Sequence, residues 1–267
     1  MNRITFLIKS FLRDTRTENC VASIEKFYPE SKIFIIDDGY KTERNEKFYK
    51  EVEEKGHKVL WLPEFDMGIS VGRNRALENI KTEYTLVGDN DFVYTKDSGV
   101  ERMLEVLEAR PDIDIVCGGI FENGKHWHYE GFVDIETDKD GKRWFKYTNL
   151  SENAEYEQVG RNFITKIDLG FNYFLMRTKA YPGIKWDEDI KVSFEHTSGM
   201  YRAKLNGIKM FYLKDAYVNN DTSQEGNHPD YLKFRRRKGD FVTFSKLWDV
   251  DYAIDFHGSR FDFDATS

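Results

Sequence analysis

One α/β unit, with helices flanking a mainly parallel sheet, is the fold this sequence predicts. Three observations carry the prediction. Short apolar runs alternate with amphipathic helical stretches from Ile4 to Gly88. Two of those runs stop abruptly in acidic clusters, Asp37-Asp38 and Asp89-Asn90-Asp91. No internal repeat, low-complexity segment or linker marks off a second compact body. Strands and helices alternating at this spacing argue for βαβ units with right-handed crossovers.

Taken in order, Ile4 to Ile8 reads as a buried strand, followed by Lys9-Ser10-Phe11-Leu12-Arg13. Asp14 or Thr15 can cap a helix that places Val21, Ile24 and Phe27 on one face, and Pro29 ends it. A second strand, Lys32 to Ile36, runs into Asp37-Asp38-Gly39. The charged stretch from about 43 to 55 is helical, with Phe48, Tyr49 and Val52 as its apolar stripe. Lys58 to Leu62 is a third strand. It leads into a loop holding Gly68 and Gly72, Arg73-Asn74-Arg75-Ala76-Leu77 begins or continues a helix, and Tyr84 to Gly88 is the fourth strand. The pattern then loosens: helix from Val100 to Leu107, strand from Ile113 to Cys117, and a polar, aromatic, turn-rich stretch to about 160. Asp138-Lys139-Asp140-Gly141 is the expected hairpin turn of that stretch. Ile167 to Met176 is expected as one strand, a helix begins near Phe194, and Lys209 to Val218 closes the fold.

The chain has 267 residues, 40% apolar and 15% aromatic, enough to bury a sizeable core. A formal charge of −7 argues against a general electrostatic grip on nucleic acid. Cys20 and Cys117 fall inside a predicted helix and strand, as small buried hydrophobes rather than a disulfide framework, which fits a reducing compartment. Met1 leads directly into a strand, so no signal peptide is expected, and no run is long and apolar enough for a membrane span. The chain could still be a piece of a longer, anchored protein.

In open α/β sheets, ligands collect beyond the carboxyl ends of the strands. Asp89 and Asp91 stand there, one residue apart, with no basic residue among the next four. They would repel each other unless a cation sat between them. A hard divalent ion sharing its sphere with water and phosphate needs one or two such carboxylates. An acidic turn is the plain alternative. A calcium hand is excluded, since the sixth position is Tyr94 and the twelfth Val100 where glycine and glutamate are required. Asp37 and Asp38 can cap the next turn or accept hydrogen bonds from a nucleoside. Neither of the common glycine-rich phosphate loops occurs.

The order Asp37-Asp38, Gly68-x-x-x-Gly72-Arg73-Asn74, Asp89-Asn90-Asp91 resembles the GT-A nucleotide-sugar glycosyltransferases of the inverting family-2 kind, over most of residues 3 to 220. Ile8-Lys9-Ser10-Phe11-Leu12-Arg13, Val116-Cys117-Gly118-Gly119 and Asn172-Tyr173-Phe174-Leu175-Met176-Arg177-Thr178 are similar to stretches of β-1,4-N-acetylgalactosaminyltransferases. The resemblance implies a nucleotide-binding half over about 1–118, an acceptor half over about 119–232, and a basic and aromatic extension over 233–267. It implies Asp89 and Asp91 as the metal-binding pair for Mn2+ or Mg2+, with Asp91 the direct ligand, and Asp38 or Asp37 at the nucleoside. Arg73 or Asn74 would line the donor site, and Asn172 would help recognise the sugar. Glu195 would be the general base, with His196 beside it where relatives carry aspartate. The family's further histidine ligand has no direct counterpart; Asn220, Asp221, His228 or water and phosphate could complete the shell.

The implied partners are a nucleotide-sugar donor, with a UDP-sugar foremost, and a glycan or glycolipid acceptor; nucleic acid is not expected. His126-Trp127-His128 reads as a surface strand, and Trp127, Tyr129, Trp144, Phe145 and Tyr173 are candidate sugar platforms or core. The basic run Arg235-Arg236-Arg237-Lys238 reads as a solvated helical face, with an anionic membrane surface or a pyrophosphate-linked acceptor as the competing role. A cytoplasmic location, at that surface or free of it, follows. A sugar nucleotidyltransferase and a non-catalytic nucleotide-sugar binder are the alternatives in function.

Overall fold

The computed structural model describes residues 1–263 except 152, 224–226 and 236. Its first half is β1 (Ile4–Ser10), α1 (Asp14–Phe27), β2 (Lys32–Asp37), α2 (Glu43–Glu54), β3 (Lys58–Trp61), α3 (Ile69–Asn79), β4 (Tyr84–Asp89), β5 (Phe92–Val93) and α4 (Val100–Ala109). Next come β6 (Ile115–Glu122), β7 (Lys125–Trp127), β8 (Gly131–Thr137), β9 (Arg143–Asn149), β10 (Glu157–Val159), β11 (Asn162–Ile167) and β12 (Phe174–Arg177). The chain closes with α5 (Tyr181–Ile184), α6 (Glu195–Leu205), β13 (Met210–Asn220), α7 (Lys238–Trp248), β14 (Tyr252–Ile254) and β15 (Arg260–Asp262).

The main sheet runs β10-β11-β13-β6-β12-β4-β1-β2-β3, with β5 beside β13 and β7 beside β6. From β4 to β3 every pairing is parallel, as the alternating pattern requires. Antiparallel β12 joins this half to β6 and β13, so the whole is mixed. β1 is buried at all seven positions, as expected of a strand covered on both faces. Period-2 alternation splits its side chains between two cores. Phe6, Ile8, Ile33, Ile35 and Leu86 go to one, and Leu7, Phe34, Ile36 and Val87 to the other.

Among the sequence expectations that change, α3 already begins at Ile69, so Gly72 lies inside the helix and not in the loop before it. The run Ile167 to Met176 is two strand ends with a loop between, because Leu169 turns aside to pair with Gly131 and Gly170 packs on Cys117. Helix α1 starts at Asp14 with Arg13 as its N-cap, and no side chain caps it. The segment beyond 232 is not an appendage: Phe244, Val250, Ala253 and Phe263 sit in the same core as Phe174 and Met200. β14 pairs with β9 in a second, four-strand sheet whose β8–β9 hairpin turns where expected, with Asp138 accepting from the Asp140 and Lys142 amides. Both cysteines are free and buried. Among the described residues, no helix is long and apolar enough to cross a membrane.

Candidate active site

Parallel pairing brings the carboxyl ends of β1, β2 and β4 level: Lys9 lies beside Asp89, and Ser10 beside Asp37. A cleft of about 310 Å³ opens there. Asp38, Asp89, Asp91, Asn172, Glu195 and His196 all line it. Sequence candidates from separate segments of the chain therefore meet in one place.

Asp89 accepts from Arg73 Nη2 at 2.9 Å and from Asn172 Nδ2 at 3.4 Å. Burial pushes its carboxyl up, and Asp91's charge adds to that, while Arg73 opposes it. Arg73 is fully buried and extends its other terminal nitrogen to within 3.5 Å of Glu195 Oε1, so one guanidinium stands between two carboxylates. Glu195, 5% exposed, is pushed up to about 7 by burial and by Asp89, with Arg73 opposing. Asp91 is already matched: Arg13 donates to its Oδ2, and Arg16 lies 3.5 Å from the same oxygen. The expectation that the acidic pair lacks a basic counterpart holds in sequence but not in space.

The position of Glu195 is built by several elements. Phe194 caps α6 with φ 66, a left-handed conformation costly for a bulky residue. Packing of its ring on Phe241, Phe244 and Phe263 holds it there. Buried Asp240 of α7 accepts from the amides of Lys191, Val192 and Ser193. From the other side, Ile69 N donates to the Lys191 carbonyl and Ser70 Oγ to that of Ile190. Gly68, at φ +100, lies so close to Lys191 that a Cβ would stand 2.8 Å from its Cα. His196 Nε2 meets the Gly170 carbonyl at 2.6 Å, and burial, then Arg73, lower its pKa to about 3. The imidazole is neutral, with Nε2–H donating and Nδ1 an acceptor that has no partner among the described residues.

Four candidates are not brought to the cleft lining, and the first is Arg73, which is buried behind Asp89 and Glu195 instead of lining the donor site. Asp37 is buried against the Tyr49 hydroxyl and the Gly39 amide. Asn74 turns away to clasp the backbone of Trp186 at 2.9 and 3.0 Å, which fixes the chain leading to α6. His228 stacks edge-on with Tyr40, and its Nδ1 accepts from the Asp230 amide. Asp38 is at the cleft but has both oxygens engaged, by Lys9 and by the Gly68 amide at 2.7 Å. Gly72 makes this possible, since a Cβ there would fall 2.4 Å from Lys9 Cδ.

Of the aromatic candidates, Tyr129 lines the cleft, Phe145 and Tyr173 are core, Trp144 stacks on Tyr252 and Trp127 is exposed. His126 packs on Tyr217 in a surface strand. Asn220 donates to Glu122, and Asp221 accepts from the Ser223 amide. The basic run is not a uniform solvated face: Arg235 lines the cleft, and Arg237 pairs with Asp66. Lys238 opens α7, and Arg236 lies outside the described residues. Sequence reasoning assigned no role to Arg13, Arg16, Tyr231 or Asp240, and none at the cleft to Arg235. Only Arg13, just past a strand end, carried a positional signal.

A family model described as glycosyl transferase family 2 matches residues 5–181. The chain belongs to glycosyl transferase family 2. It is 31% identical over 185 residues to β-1,4 N-acetylgalactosaminyltransferase 1 of Mus musculus, covering 69% of this chain and 33% of the mouse protein. The chain thus spans about a third of the length of that relative. Among solved structures, S. aureus TarS 1-349 in complex with UDP superposes with a TM-score of 0.60 at 18% identity, over 91% of this chain and 65% of TarS 1-349. GalNAc-T7 with UDP, GalNAc and Mn2+ gives 0.60 at 13% identity, over 87% and 46%. The fold is GT-A, as the order of motifs implied.

Proposed function

We propose that this family-2 chain transfers a sugar, with inversion, from a nucleoside diphosphate sugar to a hydroxyl of a glycan or glycolipid acceptor. The observation that carries the reading is the Asp89–Arg73–Glu195 array: two carboxylates that line one cleft, held on one buried guanidinium behind them. A base titrating near the working pH is suited to taking a hydroxyl proton. Glu195 removes that proton as the acceptor oxygen attacks the sugar carbon. Arg73 steadies Glu195 and limits how far burial raises its pKa. His196 stays neutral and ties the start of α6 to the Gly170 carbonyl through Nε2. Tyr129 and Phe171, 5.3 Å apart, form an aromatic wall for the acceptor.

Asp89 and Asp91 fit a divalent ion that shares its sphere with phosphate. Both offer hard oxygens, and Asn172, whose amide bonds Asp89 and whose Oδ1 has no partner among the described residues, offers a third. Among the described residues no group of three His, Cys, Asp or Glu is arranged to hold a metal, so phosphate and water would complete the shell. Such an ion supplies Lewis-acid neutralisation of the departing diphosphate. A UDP-N-acetylhexosamine or UDP-hexose donor is supported by the names of the mouse relative and of the UDP-bound neighbours. A cytoplasmic location, with membrane contact through the basic segment, belongs to the same proposal and rests on charge alone.

Calorimetric titration of a nucleotide-sugar panel with manganese, followed by turnover of the binder, tests the reading. Glu195→Gln should keep donor affinity and lose roughly 10²–10⁴-fold in turnover. Near-normal turnover in that variant would remove the base assignment, and full activity in excess EDTA would remove the metal. Pyrophosphate release from UTP and a sugar phosphate would mark a nucleotidyltransferase instead. Binding with neither transfer nor donor hydrolysis would mark a binding module.

A further inference from the structure

Two nearly buried arginines converge on a single carboxylate oxygen. Arg13 is 6% exposed and Arg16 5%, and both reach Asp91 Oδ2. Three of their N–H groups, Arg13 Nε, Arg16 Nε and Arg16 Nη2, have no hydrogen-bond partner among the described residues. Buried donors of this kind are ordinarily satisfied, and leaving them unmade is costly. Arg13 forms part of the cleft wall, where Tyr231 accepts from its Nη1 at 3.1 Å. Positive charge is thus held in place behind an acidic pair, with donors to spare and one oxygen shared between two forks.

Resting on the glycosyl-transfer reading, we propose that Arg13 and Arg16 are a placeholder cation at Asp91. They hold its carboxylate before the donor arrives, then pass to the phosphate oxygens of the nucleoside diphosphate and leave Asp91 free to meet a metal. The chemistry favours the exchange. A diphosphate offers several charged acceptors to two forks that now share one oxygen, and guanidinium groups match phosphate geometry bidentately. Released from the arginines, Asp91 keeps its backbone anchor, the Asp221 amide to Asp91 carbonyl bond of 2.8 Å.

The test separates phosphate from nucleoside and both from metal. Wild type, Arg13→Gln and Arg16→Gln are titrated calorimetrically with UDP and with uridine. Manganese alone is titrated into each, with free ion followed by electron paramagnetic resonance. The variants should bind UDP roughly 10–100-fold more weakly and uridine unchanged. Each should bind manganese alone severalfold more tightly, because a competitor for Asp91 has gone. Arg13→Lys and Arg16→Lys, which keep the charge, should recover part of the UDP affinity and guard against a folding defect. Equal weakening of UDP and uridine would reveal a merely structural role and overturn the proposal. Unchanged UDP affinity, or manganese binding that does not tighten, would also overturn it. A wild type that binds no nucleoside diphosphate removes the transfer reading and this inference together. A wild type that binds UDP while both variants bind it equally well removes this inference alone.

Discussion

Glu195→Gln should lose turnover and yet gain stability, and the gain should depend on pH. In the folded chain the Glu195 carboxyl titrates at about 7 against an ordinary value of 4.5, with burial as the first cause. The sign follows from proton binding. Between those two values the folded chain holds a proton that the unfolded chain has released, so stability falls as pH rises from 4.5 to 7 and the full penalty remains above that. A shift of this size corresponds to ~3 kcal/mol. Roughly a quarter of it is felt at pH 5 and all of it at pH 8.5. The amide keeps the shape of the side chain and removes its charge. For a chain of this size the relief at pH 8.5 is on the order of 5–10 °C in Tm, and only about 1–3 °C at pH 5. Thermal unfolding of both proteins at the two pH values reads it directly. An equal Tm difference at both, or a variant less stable at pH 8.5, would refute the buried, strained carboxylate on which the base assignment rests.

Two further outcomes follow from how that carboxylate is held. Asp240→Ala leaves the amides of Lys191, Val192 and Ser193 without their acceptor, which should cost about 2–4 kcal/mol in urea unfolding. Since it also loosens Phe194, kcat should fall more than donor affinity; equal losses would show that Asp240 does not position the base. Gly68→Ala combines an unfavourable φ of +100 with a Cβ 2.8 Å from Lys191 Cα, so a loss of about 2 kcal/mol or more is expected, read in the same assay. A neutral effect would mean that the 66–69 loop can move away from Lys191 without disturbing the site.

Much of the frame was legible because it depends on local chemistry. Alternating apolar runs made β1, β2 and β4 recognisable, and their acidic ends marked where ligands gather. Phe194 as the start of a helix was equally readable. The loop between β11 and β12 was not, because Leu169 leaves the strand path only to pair with Gly131, a residue remote in sequence. The partners of the site residues were hidden for the same reason. Asp91 is answered by Arg13 and Arg16 from the other end of the parallel half, and Glu195 by Arg73 from α3.

By itself the sequence determined the α/β class, the family resemblance and the identity of the acidic residues, since these follow from side-chain type and spacing along the chain. Tertiary structure alone decided which carboxylates reach the cleft and which guanidinium balances each. It also turned Asp37 and Asn74 into supports, and folded the last helix under Glu195 through Asp240. The physical reason is that charge compensation and burial depend on distance in space. Spacing along the chain predicts that distance only within one helix or strand.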